Sequence, residues 1–112
     1  MINYQNKKFK ALQNSDTGEV SGETIFHYQQ EGSRLWATYS GGAILEGHLM
    51  GKVDKDGRIE MVYHHRNREG ELKSGVCHSM PEILKDGKIR LFEKWQWTFG
   101  GKERGTSILE EI

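Results

Sequence analysis

The sequence predicts an all-β chain, an eight-stranded antiparallel up-and-down barrel, and three observations carry that expectation. Glycine-marked breaks recur along its 112 residues, at Asn14–Gly18, Gly32-Ser33, Gly41-Gly42, Lys55-Asp56-Gly57, Glu69-Gly70, Lys85-Asp86-Gly87 and Gly100–Gly105. Between them lie eight runs of strand length, the pattern of consecutive hairpins. No stretch sustains a helical period, so nothing in the chain competes for helix. Eight hairpin-connected strands hide their open edges by closing, with the last strand pairing back to the first.

The predicted strands are 3–12, 22–31, 34–40, 43–54, 58–68, 71–84, 88–99 and 105–112. A two-residue turn at Gly32-Ser33 joins the second to the third and sets Glu31 opposite Arg34, Tyr28 opposite Ala37 and Phe26 opposite Tyr39. Gly41-Gly42 turns the third strand into the fourth. Lys55-Asp56-Gly57 reads as a three-residue hairpin loop with Gly57 left-handed, the position such loops reserve for glycine. In that register Lys52 meets Glu60, Glu46 meets Arg66 and His48 meets His64 on one face, while Val53 meets Ile59, Gly51 meets Met61 and Leu49 meets Tyr63 on the other. A slip by one residue would send every side chain to the wrong face, and the two opposite-charge pairs select this pairing. Pro81, late in the sixth strand, suits a bulge or a strand end. Lys85-Asp86-Gly87 then sets Ile83 against Ile89, Glu82 against Arg90, Ser79 against Glu93, Cys77 against Trp95 and Gly75 against Trp97.

These registers define an inside. It comprises Phe26, Tyr28, Leu35, Ala37, Tyr39, Leu45, Leu49, Met61, Tyr63, Cys77, Ser79, Leu91, Glu93, Trp95 and Trp97. Glycines beside large rings fit a narrow interior that must alternate large with small.

Composition bounds the function classes. A chain of 12.9 kDa makes one domain over residues 1–112, and equal numbers of acidic and basic residues give a net charge of zero and a pI near 7.0. That balance speaks against nucleic acid and membrane as partners, because both call for a basic excess on one face. The single cysteine, Cys77, cannot form an internal disulfide and fits a reducing compartment. The opening residues lack a signal-like apolar stretch, so a cytoplasmic location is expected.

Glu93 is the unusual member of the inside set, sharing its face with Leu91, Trp95 and Trp97. An unpartnered buried carboxylate costs several kcal/mol or is forced to protonate, about as much as a fold can tolerate. Ser79 lies opposite, either to fix a buried polar network or to share in holding a ligand. Paired aromatic walls with a few convergent polar groups suit a small molecule. An eight-stranded interior is either just wide enough for one or just filled by side chains. The candidate ligand-binding residues are Tyr28, Tyr39, Tyr63, Ser79, Glu93, Trp95 and Trp97.

Catalysis and metal binding find little support in the residues. Adjacent His64 and His65 point to opposite faces, and His48 with His64 makes an outer two-histidine patch without a third ligand, so the five histidines are expected on the surface. Cys77 lacks a neighbour that would lower its pKa and reads as a packing residue. A carboxylate pair of the glycosidase kind would need a second inward acid, for which Glu110 is the remaining candidate. No catalytic residue, cofactor or metal is assigned.

The whole chain resembles a group of small bacterial proteins of about this length that carry the name N-acetylglutamate synthase. The matching stretches are Ile25-Phe26-His27-Tyr28-Gln29-Gln30-Glu31-Gly32, Ala37-Thr38-Tyr39-Ser40-Gly41-Gly42, Gly47-His48-Leu49, Gly75-Val76-Cys77-His78-Ser79, Pro81, Glu93-Lys94-Trp95-Gln96-Trp97 and Ser107-Ile108-Leu109-Glu110-Glu111. The resemblance implies a calycin-like barrel, similar in outline to lipocalins and avidin, though without the Gly-x-Trp that lipocalins carry near the first strand. By its name it also implies an acyltransferase, with Glu93 as acid or base. The residues themselves show no glycine-rich turn opening a helix, the usual seat of a coenzyme pyrophosphate. The leading expectation is therefore a non-catalytic binder of a small polar or amphipathic molecule. An enzyme is the alternative, and a filled barrel associating through its outer face, as in a homodimer, is the third reading.

Overall fold

A computed structural model of the chain describes residues 2–112. The strands are β1 (Lys7–Asn14), β2 (Ile25–Glu31), β3 (Arg34–Gly41), β4 (Ile44–Val53), β5 (Ile59–Asn67), β6 (Leu72–Ile83), β7 (Ile89–Phe99) and β8 (Arg104–Glu111). Each pairs antiparallel with the next, and β8 pairs back to β1, closing the barrel. All three hairpin registers read from side-chain pairing are the observed ones: Tyr28 opposite Ala37, Leu49 opposite Tyr63, and Ser79 opposite Glu93.

Two expectations about elements are corrected. β1 begins at Lys7 rather than at residue 3. Asn6 adopts a left-handed φ of 60°, a conformation that asparagine tolerates better than most residues. The chain before it bends under the barrel, where Tyr4 is fully buried and its hydroxyl donates to the Gly57 carbonyl at 2.5 Å. Leu45 is not inside. The pairing of β4 with β5 shifts between Ile44 and Glu46, a bulge that leaves Leu45 48% exposed and buries Ile44 in its place. One inserted residue reverses the alternation beyond it, and no signal in Ile44-Leu45-Glu46 announces it.

The barrel has two ends. At the lower end lie the turns after β2, β4 and β6 together with the start of β1 and the end of β8. At the upper end lie the turns after β3, β5 and β7 and the long connection 15–24 between β1 and β2. The lower half is filled: Tyr4, Phe9 and Tyr28 pack as tilted rings 4.8–6.3 Å apart over Leu35, Ile59, Ile89, Leu91 and Leu109, each at most 3% exposed. On the outside Trp36, Met50, Val62 and Val76 stand in one cross-strand row and remain substantially exposed.

Candidate functional site

Glu93 sits halfway up the interior, on the rung where filling side chains give way to open space. Its cross-strand neighbours are Ser79 on β6 and Ser107 on β8. Ser79 Oγ donates to Glu93 Oε2 at 2.7 Å, and Ser107 Oγ donates to Glu93 Oε1 at 2.9 Å. Each carboxyl oxygen thus receives one hydroxyl, an arrangement that suits the ionised form. Burial nevertheless raises the Glu93 pKa, with the bonds from Ser79, Ser107 and Cys77 opposing that rise. No lysine or arginine lines the space beside it.

That space is a cavity of about 50 Å³ in the upper half, bounded by Glu93, Ser107, Cys77 and rings from four strands. By the volume one water needs, about 10–15 Å³, it has room for roughly three to five waters. Trp95 and Trp97 stand 5.5 Å apart, Tyr63 meets Trp97 edge-on at 5.7 Å, and Phe26 stacks on Tyr39 at 4.8 Å. Both indole N–H groups are taken by the protein: Trp95 donates to Asn14 Oδ1 and Trp97 to the Thr17 carbonyl, each at 3.1 Å. The Trp97 bond fastens the 15–24 connection across the top directly, and Trp95 does so through Asn14, whose Nδ2 donates to the Val20 carbonyl at 3.0 Å.

The Tyr28 hydroxyl is buried on the cavity wall and has no hydrogen-bond partner among the described residues. Burial, then the neighbouring Glu93 charge, pushes its pKa well above the ordinary phenol value. The Cys77 thiol is raised by the same two causes and lies 3.9 Å from Ser79 Oγ, which makes it a packing group and not a nucleophile.

The roof carries a carboxylate–imidazole–phenol chain. Glu19 Oε1 lies 2.8 Å from His65 Nε2, and His65 Nδ1 lies 3.0 Å from the Tyr39 hydroxyl. Asn67 Nδ2 donates to Glu19 Oε2 at 3.0 Å, and Lys73 Nζ stands 3.4 Å from that oxygen and 5.1 Å above the Trp97 ring. Burial would raise the Glu19 pKa, but the bonds from His65 and Asn67 and the Lys73 charge outweigh it and hold the carboxyl low. Burial lowers the His65 pKa, and the Glu19 bond resists without overcoming it. A neutral His65 facing an ionised Glu19 must carry its proton on Nε2, so Nδ1 accepts from Tyr39. The Tyr39 hydroxyl therefore spends its proton on the roof, where the His64 carbonyl also lies 3.3 Å away.

Six of the seven candidate residues line this cavity: Tyr28, Tyr39, Tyr63, Glu93, Trp95 and Trp97. Ser79 stands behind Glu93 and holds it. Two expectations fail here. His65 is 2% exposed and not a surface histidine; its parity with inward Tyr63, two residues earlier, was the available signal. Glu110 faces out and takes Arg90 at 2.6 Å, because inward Leu109 precedes it. The second acid at the cavity is Glu19, which lies in a connection where alternation says nothing of direction. Ser107 was hidden because no turn chemistry fixed the register of β8.

A sequence model of one protein family, described as "Avidin-like protein", matches residues 2–112. No curated protein and no solved structure matches the chain.

Proposed function

Since the chain belongs to the avidin-like family, we propose that it is a non-catalytic binding module that holds a small polar or amphipathic molecule in the upper half of its barrel. The observation that carries this reading is the Tyr28 hydroxyl. Buried polar groups are nearly always hydrogen-bonded, and an unmade bond costs about 1–3 kcal/mol. A hydroxyl left without a protein partner on a cavity wall beside Glu93 fits a group reserved for a guest. The aromatic walls would cover the hydrocarbon part of that guest, and Glu93 with Tyr28 would orient its polar part. An acyl transfer would need an activated nucleophile, and the one thiol in the cavity has its pKa raised.

Thermal unfolding against a panel of small metabolites tests the reading. A binder present at a hundred times its dissociation constant stabilises by about 2.7 kcal/mol, a shift readily measured. Cys77→Leu, which places a larger side chain in the cavity, should abolish the shift while the variant stays folded. Shifts that survive Cys77→Leu unchanged would move binding elsewhere and overturn the reading.

A further inference from the structure

We propose that the cavity selects a small organic cation, a protonated amine on a short hydrocarbon body, with the ammonium at Glu93 and the body against the aromatic wall of Trp95 and Trp97. This rests on reading the upper interior as a ligand pocket. Three observations narrow the ligand to that class.

The first is an uncompensated acid. Glu93 is 8% exposed and bonded only to neutral groups, the hydroxyls of Ser79 and Ser107 and the Cys77 thiol, with no lysine or arginine on the cavity wall among the described residues. A buried carboxylate normally recruits a countercharge, and here only a guest can bring one. The other titratable groups facing it supply none. Tyr28, Tyr39, Tyr63 and Cys77 are all pushed up by burial and stay protonated and neutral, while His65 is held down and occupied by Glu19. Glu19 at the roof is paired with Lys73 and adds no net charge there. Glu93 is thus the uncompensated charge facing the cavity.

The second is the number of acceptors. An ammonium has three N–H donors and no acceptor. Glu93 and the unpartnered Tyr28 hydroxyl present oxygens with free lone pairs on the cavity wall. The third is the wall. Indole and phenol faces attract a cation by their quadrupoles, an effect worth about 2 kcal/mol or more once water is excluded. Both indole N–H groups are already taken, by Asn14 and the Thr17 carbonyl, so the rings offer a guest their faces. Space for a few waters admits a body of about four heavy atoms.

The test titrates the full chain near neutral pH with three molecules of one shape and different charge: n-propylammonium, n-propanol and propionate. Calorimetry gives the affinities, and the indole N–H resonances of Trp95 and Trp97 report whether the probe is inside. The ammonium should bind at least about tenfold tighter than the alcohol, since a charge-assisted bond adds about 1.5 kcal/mol or more, and propionate should bind most weakly. Glu93→Gln should erase the preference for the cation, bringing the ammonium and alcohol affinities together. Tyr28→Phe should weaken the ammonium more than the alcohol, and it decides the matter if Glu93→Gln does not fold. Affinity for the ammonium should rise with pH as Glu93 ionises, and in Glu93→Gln that rise should vanish. Alcohol or propionate binding as tightly as the ammonium, with both indole signals moving, overturns the cation inference and leaves the pocket standing. Potassium ion competing on equal terms also overturns it, in favour of an inorganic site. If no probe moves the indole signals, this inference and the binding-module reading fall together.

Discussion

The lower and upper halves of the barrel are made from the same strands and filled on different terms. Below the Glu93 rung the inward positions are Leu35, Val53, Ile59, Ile89, Leu91 and Leu109, sealed by the Tyr4–Phe9–Tyr28 rings, and almost none of their surface meets solvent. Above it the inward positions are Tyr39, Tyr63, His65, Trp95 and Trp97, placed opposite or beside Gly47, Gly75 and Gly105. A Cβ on Gly47 would run into the Tyr39 ring and one on Gly105 into Trp95, so the rings occupy space that other residues would claim. Branched aliphatics interdigitate until no gap remains. Flat rings anchored at their edges by hydrogen bonds do not, and a cavity persists between them. The lower half thus supplies cohesion, and the upper half keeps a chemically defined space open at the expense of packing.

The sharpest way to break this division is to cut the lower half. Leu91 is fully buried beside Leu109, its cross-strand partner on β8. Leu91→Ala should cost about 2–5 kcal/mol, the usual range for such truncations. In a domain of this size each kcal/mol is worth roughly 4–8 °C in melting temperature. The Tyr39–His65 bond and the indole resonances of Trp95 and Trp97 should be those of the unmodified protein. Perturbed indole signals would show that the two halves are mechanically one.

The next effect belongs to the roof. Glu19→Ala strips His65 Nε2–H of its acceptor and one of the two acceptors of Asn67 Nδ2. Orphaning buried donors costs about 1–3 kcal/mol, and amide exchange at Ser21 and Thr24, which hydrogen-bond each other within the 15–24 connection, should speed up. The pH dependence carries a definite sign. The His65 pKa is lowered in the folded state, so its contribution is intact above the ordinary histidine value of about 6.5 and is lost as pH falls towards the lowered one. The Glu19 pKa is also lowered, so its contribution is intact above the ordinary value of 4.5 and is lost as pH falls below it. Urea unfolding from neutral pH downward should show the unmodified protein losing stability in both windows. Glu19→Ala should lose it in the histidine window alone. An unchanged acid limb in the variant would show that the Glu19–His65 pair does not hold the roof.

Much of this was legible in the sequence because hairpins are local. Turn glycines and opposite-charge pairs such as Lys52–Glu60 and Glu46–Arg66 fixed three registers, and alternation then carried Tyr28, Tyr39, Glu93, Trp95 and Trp97 inward together. What escaped depends on non-local or non-periodic geometry. Leu45 sits at a bulge, where alternation breaks. Ser107 belongs to a strand whose partners are β7 and, across the closure, β1, and its own turn at Gly100–Gly105 is too glycine-rich to choose a register. Glu19 lies in an irregular connection and reaches the cavity only because Trp95, Trp97 and Asn67 fasten that segment down. Tertiary anchoring of this kind leaves no periodic trace.

The smallest effect, and the most discriminating, concerns the two carboxylates of the upper half, whose pKa values move in opposite directions. Glu19 has donors and a lysine and is shifted down; Glu93 is buried with neutral hydroxyl and thiol donors and is shifted up. A raised pKa means that the folded state holds the proton more tightly than the unfolded chain. The contribution of Glu93 is therefore fully present below the ordinary value of 4.5 and is lost as pH rises through its elevated folded value. Glu93→Gln keeps the shape and removes the charge, although its amide can accept from only one of Ser79 and Ser107 by the same geometry. The variant should be no more stable than the unmodified protein in acid and should gain on it as pH rises, so the two stability curves cross. Saturation with a cationic guest should move that crossing by restoring stability to the unmodified protein alone, because only there does the guest meet a carboxylate. Parallel curves at every pH would show that Glu93 is already compensated within the fold, and the upper half would then be one more packed region with polar atoms in it.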